Sequence, residues 1–240
     1  MRTSLGVLLG LALLGAACGQ RSREQSANRE VPREAYVRVV NAMPDGTAID
    51  VFADNQKLFP EIKPGAVVPY REVSPGLITF RARWTGREAD APVADNREIL
   101  RDGKFATILV RPATGGRREV DMTILKDHTW LPDAGKAKVR VVHAIAGMSD
   151  IDAYSQGKKV LGGIDFTDES RYVEVDPVSG DLVLKRHDNQ QTVATVSNLR
   201  LDPDKAYTVL LVGSEDKPRT VVLEDRVQRR PAMPTYPLGS

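Results

Sequence analysis

The run YVRVVNA, Tyr36 to Ala42, returns as KVRVVHA, Lys138 to Ala144, at an offset of 102 residues. Between Val37–Val73 and Val139–Val175 the same offset gives 12 identities in 37 ungapped positions. Ile49 and Asp50 align with Ile151 and Asp152, and Tyr70, Glu72 and Val73 with Tyr172, Glu174 and Val175. Further on, FATILV (Phe105–Val110) lies against YTVLLV (Tyr207–Val212), and MTILKD ending at Asp127 lies against TVVLED ending at Asp225 once a loop is shortened. A self-match of this length means two copies of one unit.

Each copy is written in β-branched and aromatic runs separated by Gly, Pro, Asp and Asn. The runs predict seven strands in the first copy: 36–42, 48–53, 67–73, 77–84, 97–100, 104–111 and 119–125. The second copy repeats them at 138–144, 150–155, 171–175, 182–186, 192–197, 206–212 and 220–224. No window of helical length carries a 3.6-residue apolar stripe. The fold expected is all-β, with two tandem antiparallel β-sandwich domains of immunoglobulin-like or transthyretin-like kind; a barrel gives the same local pattern. The domains are placed at 36–127 and 138–226, joined by a linker at 128–137 in which Trp130 is expected to pack between them.

The chain has 240 residues, 34 Lys and Arg against 32 Asp and Glu, three His and one Cys. That balance excludes a dedicated nucleic-acid binder, which needs a basic excess. The opening MRTSLGVLLGLALLGAACGQ has Arg2, then 13 apolar or glycine residues from Leu5 to Ala17. The run is too short to span a bilayer and has the form of a secretory signal. Its end, Gly15-Ala16-Ala17-Cys18, resembles a bacterial lipoprotein signal, with Gly15 where that pattern prefers Leu. The resemblance implies a signal peptide at 1–17, acylation of Cys18 and attachment to membrane lipid in the cell envelope. In the same resemblance, Gly19 in the place of Asp after the cysteine implies the outer membrane in a cell that has two. Residues 18–35 read as a flexible polar tether, and 227–240, with Pro231, Pro234 and Pro237, as an extended tail.

The segments VRVVNAMPDGTAIDVF (Val37–Phe52) and VRVVHAIAGMSDIDAY (Val139–Tyr154) resemble the opening signature of the DUF4397 family, V-R-x-V-H/N-A-S-P-D followed by V-D-V-Y. Met43 takes the serine place, and Ala146-Gly147 replace Pro-Asp in the second copy. Val73–Phe80 and Leu201–Gly213 look like two later elements of the same family. The resemblance implies β-rich, secreted or surface-exposed bacterial domains, often in tandem, and transfers no catalytic residue.

Side chains with chemical potential are few. Asp45 and Asp50, with Asp150 and Asp152 in the second copy, are read as loop-structuring carboxylates. Calcium ligation and a carboxylate-dependent hydrolase remain open alternatives at the same residues. His128, His143 and His187 lack metal-site spacing, and His143, aligned with Asn41, reads as a hydrogen-bonding position. No nucleophile elbow, P-loop or dinucleotide pattern occurs. Trp84, flanked by Arg83 and Arg87, is the candidate ligand contact. The expectation is a non-catalytic envelope lipoprotein without cofactor, binding an envelope protein or polysaccharide.

Overall fold

The computed structural model describes residues 33–115, 119–166 and 171–229; Cys18, the expected signal at 1–17, most of the expected tether and most of the expected tail lie outside them. The first copy contains eight strands: β1 (Ala35–Asn41), β2 (Ile49–Ala53), β3 (Gln56–Ile62), β4 (Val67–Val73), β5 (Gly76–Trp84), β6 (Ala94–Leu100), β7 (Phe105–Pro112) and β8 (Val120–Lys126). A short β9 (His128–Trp130) follows. The second copy runs through β10 (Ala137–His143), β11 (Ile151–Ser155), β12 (Lys158–Ile164), β13 (Val173–Val175), β14 (Val178–Arg186), β15 (Thr192–Leu201), β16 (Ala206–Gly213) and β17 (Pro218–Gln228).

Each copy is a pair of sheets with one strand order. In the first they are β3-β2-β5-β6 and β4-β1-β7-β8; in the second, β12-β11-β14-β15 and β13-β10-β16-β17, with β9 added at the edge. The pairing is not wholly antiparallel as expected: β1 runs parallel to β7, and β10 to β16. Long connections through the opposite sheet make this possible, because a parallel pair cannot be joined by a tight turn.

β3 and β12 escape sequence reading because both are broken edge strands. Pro60 is tolerated where the strand has an open side, and Glu61 sits at φ 48°, where the pairing with β2 shifts register. Gly163 takes that place in β12, at φ 63°.

β7 and β16 correct the repeat alignment. Arg38 pairs with Thr107 and Arg140 with Thr208, so the true offset here is 101, not 102. A slip of one residue turns every side chain to the other face. Phe105 therefore stacks on Tyr36 at 4.5 Å, whereas Tyr207 is buried in its own sandwich, its hydroxyl accepting the Asp202 amide at 3.2 Å.

Two cores lie within the sandwiches, the first around Phe59, Phe80 and Ile108, the second around Ile151, Leu184 and Val209. A third joins the copies: Val40, Ala42, Leu109 and Leu125 meet Val142, Ala144, Leu210 and Leu223. The odd residues of β1 face the first sandwich and the even ones face the other copy, so nearly all of β1 is buried on both sides. The copies are thus four stacked sheets and not two independently cored beads. The linker joins this arrangement as β9, which pairs in parallel with β17, and Trp130 is 43% exposed instead of packed between the copies.

Candidate functional site

Two arrangements of polar side chains recur in both copies. The first lies buried between them. Arg38 donates from Nε to Thr107 Oγ1 at 2.7 Å, from Nη1 to the Glu224 carbonyl at 3.2 Å, and from Nη2 to Asp225. Arg140 repeats this toward the first copy, donating to Thr208 Oγ1 at 2.7 Å, the Lys126 carbonyl at 2.9 Å and Asp127 Oδ1 at 2.6 Å. Tyr70 donates to Asp127 and Tyr172 to Asp225, each at 2.8 Å, beneath the guanidinium of its own copy's arginine. Each copy therefore sends an arginine into the other copy's aspartate, a reciprocal pattern with two-fold pseudosymmetry. Burial, with the aspartates beside them, pushes both tyrosine hydroxyls upward in pKa, so they serve as neutral donors. None of these residues was singled out as a site from sequence. The signal available was that Arg38 and Tyr70 recur unchanged at the repeat offset.

The second arrangement lies on the outermost sheet of each copy. Asp50 is 1% exposed and accepts the Glu61 amide at 2.7 Å and the Thr85 hydroxyl at 3.0 Å, with Lys57 Nζ 2.8 Å away. Asp152 accepts the Gly163 amide at 2.9 Å, faces Lys159 Nζ at 2.6 Å and lies 2.9 Å from His187 Nδ1. Each carboxylate takes its backbone amide from the bulge of the neighbouring edge strand, Glu61 in β3 and Gly163 in β12. Burial works against their charge, but the amide, lysine and side-chain hydrogen bonds outweigh it and hold both below the usual carboxylate range.

A depressed folded pKa contributes stability that is present above the unfolded value near 4 and is lost as pH falls through the folded one. Asp225 has the opposite sign: burial raises its pKa despite Arg140 and Arg38, so it does not drive acid unfolding. Asp152→Asn is expected to lower stability at pH 7 by about 1–3 kcal/mol and to flatten the loss of stability below pH 4. Thermal melts from neutral to strongly acid buffer check this; an acid limb as steep as wild type counts against it.

Beside each carboxylate stands a half-buried aromatic ring flanked by cations. Lys57 and Arg83 lie 5.7 and 5.9 Å from the Phe52 ring centre, and Lys159 and Lys185 lie 5.7 and 4.9 Å from that of Tyr154. Lys57 and Lys159 are committed to carboxylates, whereas Arg83 and Lys185, opposite Asp50 and Asp152 in the ladder, have no carboxylate partner among the described residues. Arg83 is thus on the patch. Trp84, next along β5, points the other way and packs against the first core, and Arg87 is exposed in the following loop. The three do not form one cluster.

Asp45 and Asp150 stay exposed in the loops before β2 and β11. Among the described residues no group of three or more His, Cys, Asp or Glu is placed to hold a metal ion. His143 is buried and, through Nδ1, accepts the Ile145 amide at 3.3 Å; Asn41 Oδ1 accepts the Met43 amide in the same way at 3.2 Å. Burial pushes the His143 pKa down, leaving a neutral ring.

The fold and these repeated arrangements define a fused pair of all-β modules, locked face to face and carrying matching polar patches on their outer sheets. The family model described as "Domain of unknown function (DUF4397)" matches residues 35–154 and 137–235. The chain belongs to that family, as a tandem pair. The comparison with curated proteins gives no match.

Proposed function

We propose that the protein is a non-catalytic binding protein of the cell envelope, tethered to a membrane by lipid on Cys18, whose outer sheets present twin patches to an acidic polysaccharide. Each module is read as a sandwich of immunoglobulin-like or transthyretin-like kind. The observation that carries the binding reading is the recurrence, on both outer sheets, of one ring beside one uncommitted cation: Phe52 with Arg83, Tyr154 with Lys185. A ring offers an apolar face to a sugar, and the cation takes its carboxylate. The carboxylates nearby support a structural and not an acid–base role, because each is clamped by a lysine and a backbone amide. The membrane reading rests on the signal-like opening and on Cys18 at its end.

Affinity electrophoresis of the folded protein through polygalacturonate tests the patches. The double variant Arg83→Gln, Lys185→Gln is expected to bind at least tenfold more weakly, and Arg87→Gln as wild type. Equal retardation of wild type and the double variant, or none of either, overturns the reading. Fatty-acid labelling in a bacterial host tests the anchor separately: wild type is expected to incorporate label and Cys18→Ala none, and equal labelling removes the lipid.

A further inference from the structure

The two sandwiches differ in one respect that the repeat makes plain. In the first, Ile78 and Phe80 of β5 point inward and are buried, with Phe59 of β3 against them. The matching residues in the second are Gly180, Leu182 and Leu161. Every one of the three is smaller. Leu184 in the place of Ala82, with Tyr207 and Leu199, recovers some of the lost volume, but a Cβ built on Gly180 would meet no atom within 4 Å. Gly180 is not at a positive φ, so the backbone does not require glycine.

What is left is a cleft of about 270 Å³ opening into the second sandwich. Val139, Val160, Val175, Leu182, Leu199 and Leu201 give it an aliphatic wall, and Ser155 and Gln156 add polar atoms to its lining. An aliphatic wall of this kind favours contact with an apolar guest over contact with water. At the mouth, Asp176 is paired with Lys136 at 2.5 Å, and Asp181 accepts the Asn198 amide at 3.0 Å. Lys158, exposed on the same rim, has no carboxylate partner among the described residues. A largely aliphatic cleft with Lys158 exposed at its entrance, and Asp176 there neutralised by Lys136, suits a hydrocarbon chain ending in a carboxylate that seats on Lys158, away from Asp181. Each methylene entering such a slot adds to affinity, and the charge at the rim fixes the direction of entry.

We infer that the second module binds a free aliphatic carboxylate of fatty-acid type, chain inward between the sheets and head group on Lys158, at a site the first module has filled with its own side chains. This site is separate from the outer-sheet patches and does not depend on them.

Titration of the folded protein with laurate, followed by isothermal calorimetry below the micellar concentration, is the test. Saturable one-to-one binding is expected. Gly180→Ile, which restores the residue of the first module, is expected to weaken it at least tenfold while leaving the melting temperature unchanged or raised. Leu182→Phe fills the same space and stands in if Gly180→Ile does not fold. Lys158→Gln is expected to weaken laurate about threefold to tenfold and to leave dodecanol unaffected. No saturable binding by wild type, or equal binding by both filled variants, overturns the inference.

Discussion

Arg38→Ala is expected to lower the unfolding free energy by about 3–5 kcal/mol, the range for removing one member of a buried ion pair. Arg38 is 4% exposed, and its removal takes the guanidinium from the buried Asp225 carboxylate, which keeps the neutral Tyr172 and Thr208 hydroxyls, and takes a donor from the Glu224 carbonyl. Arg140→Ala is expected to cost less, since Asp127 keeps Arg38 Nε at 3.4 Å together with the Tyr70 and Thr107 hydroxyls. Arg38→Lys keeps a charge but not the forked geometry that reaches Thr107, Glu224 and Asp225 together. The double change Arg38→Met, Asp225→Leu removes both charges and is expected to recover most of the loss, because desolvation is then no longer opposed by an incomplete pair. Urea denaturation of the four variants measures all of this. A loss below about 1 kcal/mol for Arg38→Ala, the level of an exposed pair, would mean that water reaches the network.

Residues 33–136, produced without the second copy, are expected to run at twice their monomer mass. Separation exposes Val40, Ala42, Leu109 and Leu125, a contiguous apolar face on a sheet otherwise buried on both sides. A face of that kind seeks cover. The cover is available from a second molecule of the same fragment, because the contact between copies is already pseudosymmetric: Arg38 meets Asp225, whose equivalent in the first copy is Asp127. Two first copies related by a two-fold axis would place Arg38 of each opposite Asp127 of the other, a self-complementary interface. Light scattering reads the mass directly. A well-folded monomer at micromolar concentration would show that the third core is dispensable. Arg38→Asp in the fragment sets two carboxylates against each other and is expected to abolish the dimer.

The strands were legible where side chains pack against a flat ladder, as in YVRVVNA and FATILV, because β-branched residues crowd such runs whatever surrounds them. β3 and β12 were not, since Pro60-Glu61 and Gly162-Gly163 break the strand pattern, and it is Asp50 and Asp152 on the neighbouring strand that hold the bulge amides. The polar patches were half legible. Asp50, Asp152 and Arg83 stand out by type and spacing, but Trp84 drew attention by size, and only the alternation of β5 shows that it faces inward.

The duplication and the all-β class followed from the chain alone, because self-similarity and strand periodicity are properties of neighbouring residues. The tertiary structure was needed to show that Arg38 and Arg140 serve the opposite copy, that β7 and β16 align one residue away from the apparent repeat, and that the modules share a core. Those outcomes depend on which faces of distant strands meet. The residue pattern of β1, apolar on both sides except for Tyr36, Arg38 and Asn41, is silent about what covers each side.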